Sequence, residues 1–329
     1  MKLNLTRIAL AGLISLATVG YATAADDTPT YTNPKEAGEA YPIQGEYVGT
    51  VTMDGQDVPL GVQVIALGEG KFRGVGYPGG LPGDGWSRGM ETHSAEGKLE
   101  DGVVTMEGDH AKITIANGVI SVFSTAGDKI GSLKKTVRKS PTLGAKPPTG
   151  ATVLFDGASA DAFENGKIVQ DGFLLADCYT KEKLGDHTLH IEFMTPFKPD
   201  ARGQARGNSG VYMQGRYELQ VLDSFGLEGE NNECGGIYQI SKPKVNMCFP
   251  PLTWQTYDID FTAAKYNEAG EKTTNARVTI KQNGVVIHDD LELPKHTPGR
   301  EQEANSPAAL YLQGHGNPVV YKNIWVLKK

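Results

Sequence analysis

The residues equipped to act on a substrate gather in two stretches. In "GNSGVYMQGRYELQVLDSF", Gly207 to Phe225, Arg216, Glu218 and Gln220 share one parity, while Tyr217, Leu219 and Val221 take the other. Side chains alternate between faces along a β-strand, so the first three stand in file at roughly 6.5–7 Å. A solvated sheet gives this pattern, and so does the floor of a binding cleft. Asn208 and Tyr212 precede the file and Asp223 follows it, all candidates for substrate contact. In the second stretch, "LQGHGNPVVYKNIWV", Gln313 and His315 stand directly before a Gly-rich turn. A histidine there exchanges a proton near neutrality with little tuning, as base or as acid.

Other chemistries are excluded by spacing. Glu218 and Asp223 are five residues apart and fall on opposite faces of a regular strand. They do not make the carboxylate pair, about 5–5.5 Å apart, of a retaining glycosidase. The "GNSG" at 207–210 is no nucleophile elbow, and "YPGGLPGDGW" lacks the Gly-Lys-Ser/Thr of a phosphate cradle. His190 with Glu192, and Asp258 with Asp260, alternate with apolar neighbours and are expected on solvated sheet faces. His93 and His110 stand isolated, as solvated loop positions.

These residues sit in strand-like runs separated by Gly and Pro turns. "GEYVGTVTM", "LGVQVIAL", "KFRGVGY", "GVVTM", "AKITIA", "GVISVF" and "SLKKTV" predict a small antiparallel β domain over 43–137. Asn117-Gly118 marks a tight hairpin within it, and Asn283-Gly284 marks another further on. "RKSPTLGAKPPTG", 138–150, is Pro- and Gly-rich and is expected to be a semi-rigid linker. From 151 to 329 the runs are again short and alternating, as in a sandwich or jelly roll. The expectation is an all-β chain without long amphipathic helices.

The first 24 residues have the form of a signal peptide. Lys2 and Arg7 precede an apolar core, and Ala22-Thr23-Ala24 is a small-x-small cleavage site. The apolar run is short for a membrane span of about 20 residues. Cleavage leaves a loose leader over 25–42 and moves the net charge from −7 to −9. An acidic exported chain is a poor partner for nucleic acid or an anionic membrane. In a secreted or periplasmic compartment, Cys234 and Cys248 flank a short loop as the expected disulfide, leaving Cys178 unpaired. No Cys/His spacing matches a zinc site. The sequence does not set the oligomeric state.

Seven segments, in serial order, carry a family resemblance. "TVLFDG", "GDHTLHIEF", "NSGVYMQGRYELQVLDS", "CGGIYQ", "WQTYDIDFTA", "ARVTIKQNGVVIHDDLEL" and "LYLQGHGNPVVYKNIWV" resemble the 3-keto-disaccharide hydrolase domain family over about 151–329. The resemblance implies a concanavalin A-like jelly roll acting on a small-molecule or oligosaccharide substrate already oxidised at C3. It implies roles for Glu218, Gln220, Asp223, Gln313 and His315, with His315 as base or acid. Glu218 then binds sugar hydroxyls, holds a divalent cation or carries the second proton, and Arg216 and Gln220 donate to the keto oxygen. The chain departs from the family where Tyr321-Lys322-Asn323-Ile324 replaces aromatic-Arg-Asn-Ile, losing the planar fork of arginine. Two alternatives stand beside this: a non-catalytic, lectin-like module, and a functional first domain beside a degenerate jelly roll.

Overall fold

The computed structural model describes residues 28–170 and 172–329. The signal-peptide segment therefore lies outside the described residues, as does the start of the leader. Among the described residues the chain is nearly all strand; its helical content is the single 3-10 turn Gly203–Ala205. No helix there is long and apolar enough to cross a membrane.

Eight strands in chain order form the first unit: β1 Gly45–Met53, β2 Gln56–Gly68, β3 Lys71–Pro78, β4 His93–Glu100, β5 Val103–Glu107, β6 Lys112–Ala116, β7 Val119–Phe123 and β8 Lys129–Thr136. Each pairs antiparallel with the next, and β8 returns to β1, closing a barrel. Closure removes the exposed edges of the sheet. Alternate residues such as Tyr47, Val64, Phe72, Val104, Ile120 and Leu133 fill the interior. The β6–β7 hairpin turns on Asn117 and Gly118, at φ 49° and 72°, as a type I′ turn requires.

The second unit is a sandwich of two sheets. Its main strands are β9 Cys178–Leu184, β10 His187–Met194, β11 Ser209–Met213, β12 Tyr217–Val221, β13 Gln255–Thr262, β14 Ala276–Gln282, β15 Val285–Leu293, β16 Ala308–Leu312 and β17 Val320–Lys328. The larger sheet runs β17-β10-β13-β14-β15, with short strands beside β17. The smaller runs β9-β16-β11-β12, with the short strand Phe163–Glu164 outside β9. One parity of each sheet meets the other in a shared core that includes Leu189, Ile191, Val211, Leu219, Leu310 and Leu312. The other parity of the smaller sheet carries Glu218.

Three expectations are corrected by packing. The leader is not loose where it is described. Tyr31 exchanges backbone hydrogen bonds with Phe197 at 3.0 and 2.9 Å, and Tyr41 packs edge-on against the same ring. His190 and Glu192 are not solvated, at 0% and 1% exposure, because residues 138–150 lie across that sheet face. There Thr142 Oγ1 donates to Asp258 at 2.7 Å, Gly144 N donates to Glu192, and Ala145 O accepts from Asn323 and Trp325. Pro141 sits against Gly284, where an added Cβ would lie 2.4 Å from its ring. Of that set Asp260 is exposed and Asp258 half-buried. His93 and His110 are exposed but not isolated; their rings pack at 5.4 Å.

Candidate functional site

Cross-strand register builds the site. On β12, Glu218 pairs with Tyr212 of β11; Tyr212 pairs with Tyr311 of β16; Tyr311 pairs with Tyr179 of β9. One carboxyl and three phenols thus form a transverse row on the face turned away from the core. At about 4.8 Å per strand the row spans about 14 Å. Tyr311 is 5.5 Å from both flanking rings. At the carboxyl end, Gly210 provides the space: an added Cβ would stand 2.9 Å from Glu218 Oε1.

Glu218 is 4% exposed. Burial lifts its carboxyl to about 7, although a hydrogen bond from the Tyr212 hydroxyl pulls the other way. Burial, reinforced by the neighbouring Glu218 carboxylate, pushes the Tyr212 phenol above its ordinary value, so it remains a donor at neutrality. Gln313 Nε2 donates to the Tyr212 oxygen at 3.2 Å, while its Oε1 is buried without a protein partner. A carboxyl balanced between its two forms, beside a phenol and an unsatisfied amide oxygen, can move a proton and hold a hydroxyl.

The remaining candidates separate by position. Gln220 Nε2 donates to Asn208 Oδ1 at 2.9 Å and to Gln204 Oε1 at 3.2 Å, forming an amide cluster two residues along from Glu218. Asp223 is 2% exposed and is committed to Arg206, Nε to Oδ2 at 2.6 Å, away from the row. Arg216 spends its terminal nitrogens on Gln214 Oε1, Ala304 O and Ser306 O. It therefore anchors the segment 294–307, a strap over the row; its Nε is buried without a partner. His315 lies exposed in the turn after β16, and its carbonyl accepts from Asn317. Among the described residues its imidazole makes no hydrogen bond, and no contact joins it to Glu218.

The strap was missed in the sequence. Thr297 N and Oγ1 both donate to Arg216 O, at 2.8 and 3.1 Å, and Thr297 Oγ1 accepts from Glu218 N at 3.0 Å. Further along, Glu303 receives Tyr217 OH at 2.6 Å and pairs with Lys272 at 2.7 Å. Between these anchors, Gly299 approaches the Tyr212 hydroxyl and Arg300 lies over Tyr311. An open hollow of 310 Å³ elsewhere, lined by Val153, Phe155 and Asp161 among others, shares no residue with the row. No cluster of three metal-ligating side chains forms among the described residues.

The cysteines carry free, buried thiols, and Cys234 and Cys248 are hydrogen-bonded to each other. At the family departure, Lys322 makes one ion-pair contact, 3.6 Å from Glu192, and lies 4.1 Å over the Trp254 ring.

Residues 150–327 match the model of a family described as the 3-keto-alpha-glucoside-1,2-lyase-like domain. No curated protein matches the chain. Among solved structures, one from Parabacteroides distasonis, described as a "putative glycosyl hydrolase", is 33% identical with a TM-score of 0.52, covering 55% of this chain and 85% of its own. A second, from the same organism and described in the same words, is 18% identical with a TM-score of 0.40, covering 55% and 94%.

Proposed function

Because the chain belongs to the family of 3-keto-alpha-glucoside-1,2-lyase-like domains, we propose that it cleaves glycosides whose sugar already carries a ketone at C3. The observation that carries this reading is the buried Glu218 carboxyl, raised to about 7 and joined to Tyr212 at the end of the row. A C3 ketone acidifies the C2 hydrogen. Ionised Glu218 takes that proton, and the electron pair is held as an enolate at the C3 oxygen. Its collapse forms the C1–C2 double bond as the C1–O bond breaks, and the departing oxygen takes a proton. Water then adds across the enone, so the net change is glycoside plus water to 3-keto sugar plus alcohol. Hydrogen-bond donors stabilise the enolate oxygen, a task that suits the second N–H of the Gln313 amide, since Asn208 and Gln204 take both N–H groups of Gln220. His315, whose ring has no protein partner, is the second proton carrier in this reading. The buried Oε1 of Gln313 takes a sugar hydroxyl.

This route needs one base and no opposed carboxylate, which agrees with Asp223 being locked to Arg206. Export through the leading segment would place the enzyme where oligosaccharides are met. The test is purified protein with a 4-nitrophenyl 3-keto-glucoside. Phenolate release is expected, slowed several-fold when C2 carries deuterium. Release from the unoxidised glucoside, or an absent isotope effect under single-turnover conditions, counts against elimination. Sugar binding without any turnover favours the lectin-like alternative.

A further inference from the structure

The row is longer than the proposed chemistry uses. Glu218 and Tyr212 occupy one end; Tyr311 and Tyr179 extend it by two further strand steps, about 10 Å. Of these two, Tyr311 is buried and Tyr179 is half-buried, at the outer end of the row. The Tyr311 ring is fixed from both sides of its hydroxyl, which donates to Asp177 at 3.3 Å and accepts from Gly314 N at 3.2 Å.

Arg300 crosses this far end. Its guanidinium carbon is 3.7 Å from the Tyr311 ring centre and 5.3 Å from that of Tyr179. A guanidinium whose carbon is held over an aromatic ring keeps N–H groups at its rim for an acceptor. Of the eight arginines among the described residues, seven donate hydrogen bonds to protein acceptors and Arg300 donates none. It has no carboxylate partner, although Glu301 and Glu303 share its strap. Glu303 is held instead by Tyr217 and Lys272. The planar fork matches an acceptor with two oxygens in one plane. A doubly charged phosphate would leave one charge uncompensated near Asp177.

We infer that Tyr311, Tyr179 and Arg300 form a leaving-group subsite for a ring bearing a carboxylate. Tyr311 is covered and seats the guanidinium; the ligand ring packs on the half-buried Tyr179 beside it, and the Arg300 edge receives the carboxylate. The inference rests on the proposed cleavage for the term "leaving group", but binding alone tests it. The probes share one 3-keto-glucosyl unit and differ in the second ring: 4-carboxyphenyl, 4-carbamoylphenyl, glucuronic acid or glucose.

Titration calorimetry at low salt, on protein carrying Glu218→Gln so that the probes are not cleaved, is expected to show roughly tenfold tighter binding of each acid than of its neutral counterpart, shrinking as salt rises. Arg300→Gln should erase the preference, and Arg300→Lys should restore part of it, since charge returns without the fork. The residue is exposed, so both variants are expected to fold. Protein with Arg300 intact and no acid preference, or a preference that survives Arg300→Gln, overturns the subsite. A preference confined to the aromatic or to the sugar acid identifies the source of the carboxylate. Failure of turnover with the preference intact overturns the proposed reaction and leaves the subsite standing.

Discussion

Across one strand step the phenol of Tyr212 donates to the carboxyl of Glu218, and burial still lifts that carboxyl to about 7. Two opposite forces on one oxygen pair give it a proton affinity set for neutral water. Glu218→Gln is expected to reduce turnover by about 10²–10⁴ while sugar binding persists. As a base, wild-type activity should rise with pH through about 7.

The same raised value has a consequence for stability. The folded state holds the Glu218 proton more tightly than the unfolded chain, whose value is near 4.5. Its contribution is therefore complete below about 4.5 and is lost as pH rises through about 7, on the order of 3 kcal/mol. Melting curves of wild type and Glu218→Gln should converge at acid pH and diverge above 7, with the glutamine variant the more stable there.

Arg206 joins the barrel to the sandwich. Besides Asp223 it donates to Ala66 O of β2 at 3.2 Å and to Pro199 O at 3.2 Å. Removing one member of a buried pair strands the other, so Asp223→Asn should cost about 3–5 kcal/mol. Pairing Arg206→Met with Asp223→Leu should recover much of it. Denaturant unfolding of the three variants measures this, and a harmless Asp223→Asn would show that the pair contributes little.

His190 holds residues 138–150 down from beneath. Burial pushes its imidazole toward the neutral form, but hydrogen bonds to Asp258 at 2.6 Å and to Glu192 outweigh burial and hold its pKa above the ordinary value. That stabilisation is complete below about 6.5 and is lost as pH rises through the folded value. Glu192 works the other way. Burial raises it, while His190, Asn323 and Gly144 together hold it below its ordinary value, so its share is lost toward acid. Protease cleavage within 138–150 is expected to quicken at alkaline pH, and His190→Asn should flatten that dependence.

The thiols of Cys234 and Cys248 touch, and an oxidising compartment would join them. Thiol titration of denatured protein prepared without reductant should then count Cys178 alone. Reduction should lower the melting temperature, the closed loop contributing about 3 kcal/mol. Three titratable thiols in such a sample would exclude the bond.

Local pattern carried the strands, the Asn-Gly turns and the shared parity of Glu218 with Gln220, because side-chain alternation and positive φ are properties of adjacent residues. The row Glu218–Tyr212–Tyr311–Tyr179 was not legible: it needs the register of four strands drawn from distant parts of the chain. Neither was the fate of Asp223, whose partner Arg206 reaches it through tertiary contact. His190 and Glu192 carry the alternation of a wet face. Only the path of residues 138–150, which no periodicity encodes, keeps water from them.

Ile65, Val75, Tyr77 and Trp86 of the first unit belong to the same apolar cluster as Leu219, Phe249 and Ile280 of the second. What inheritance marks out as a module is thus smaller here than what must collapse together. A polypeptide started at the family boundary would shed its cover over His190 and present oil to solvent along that seam. The intact protein should instead melt as one cooperative body, a single calorimetric peak in place of two.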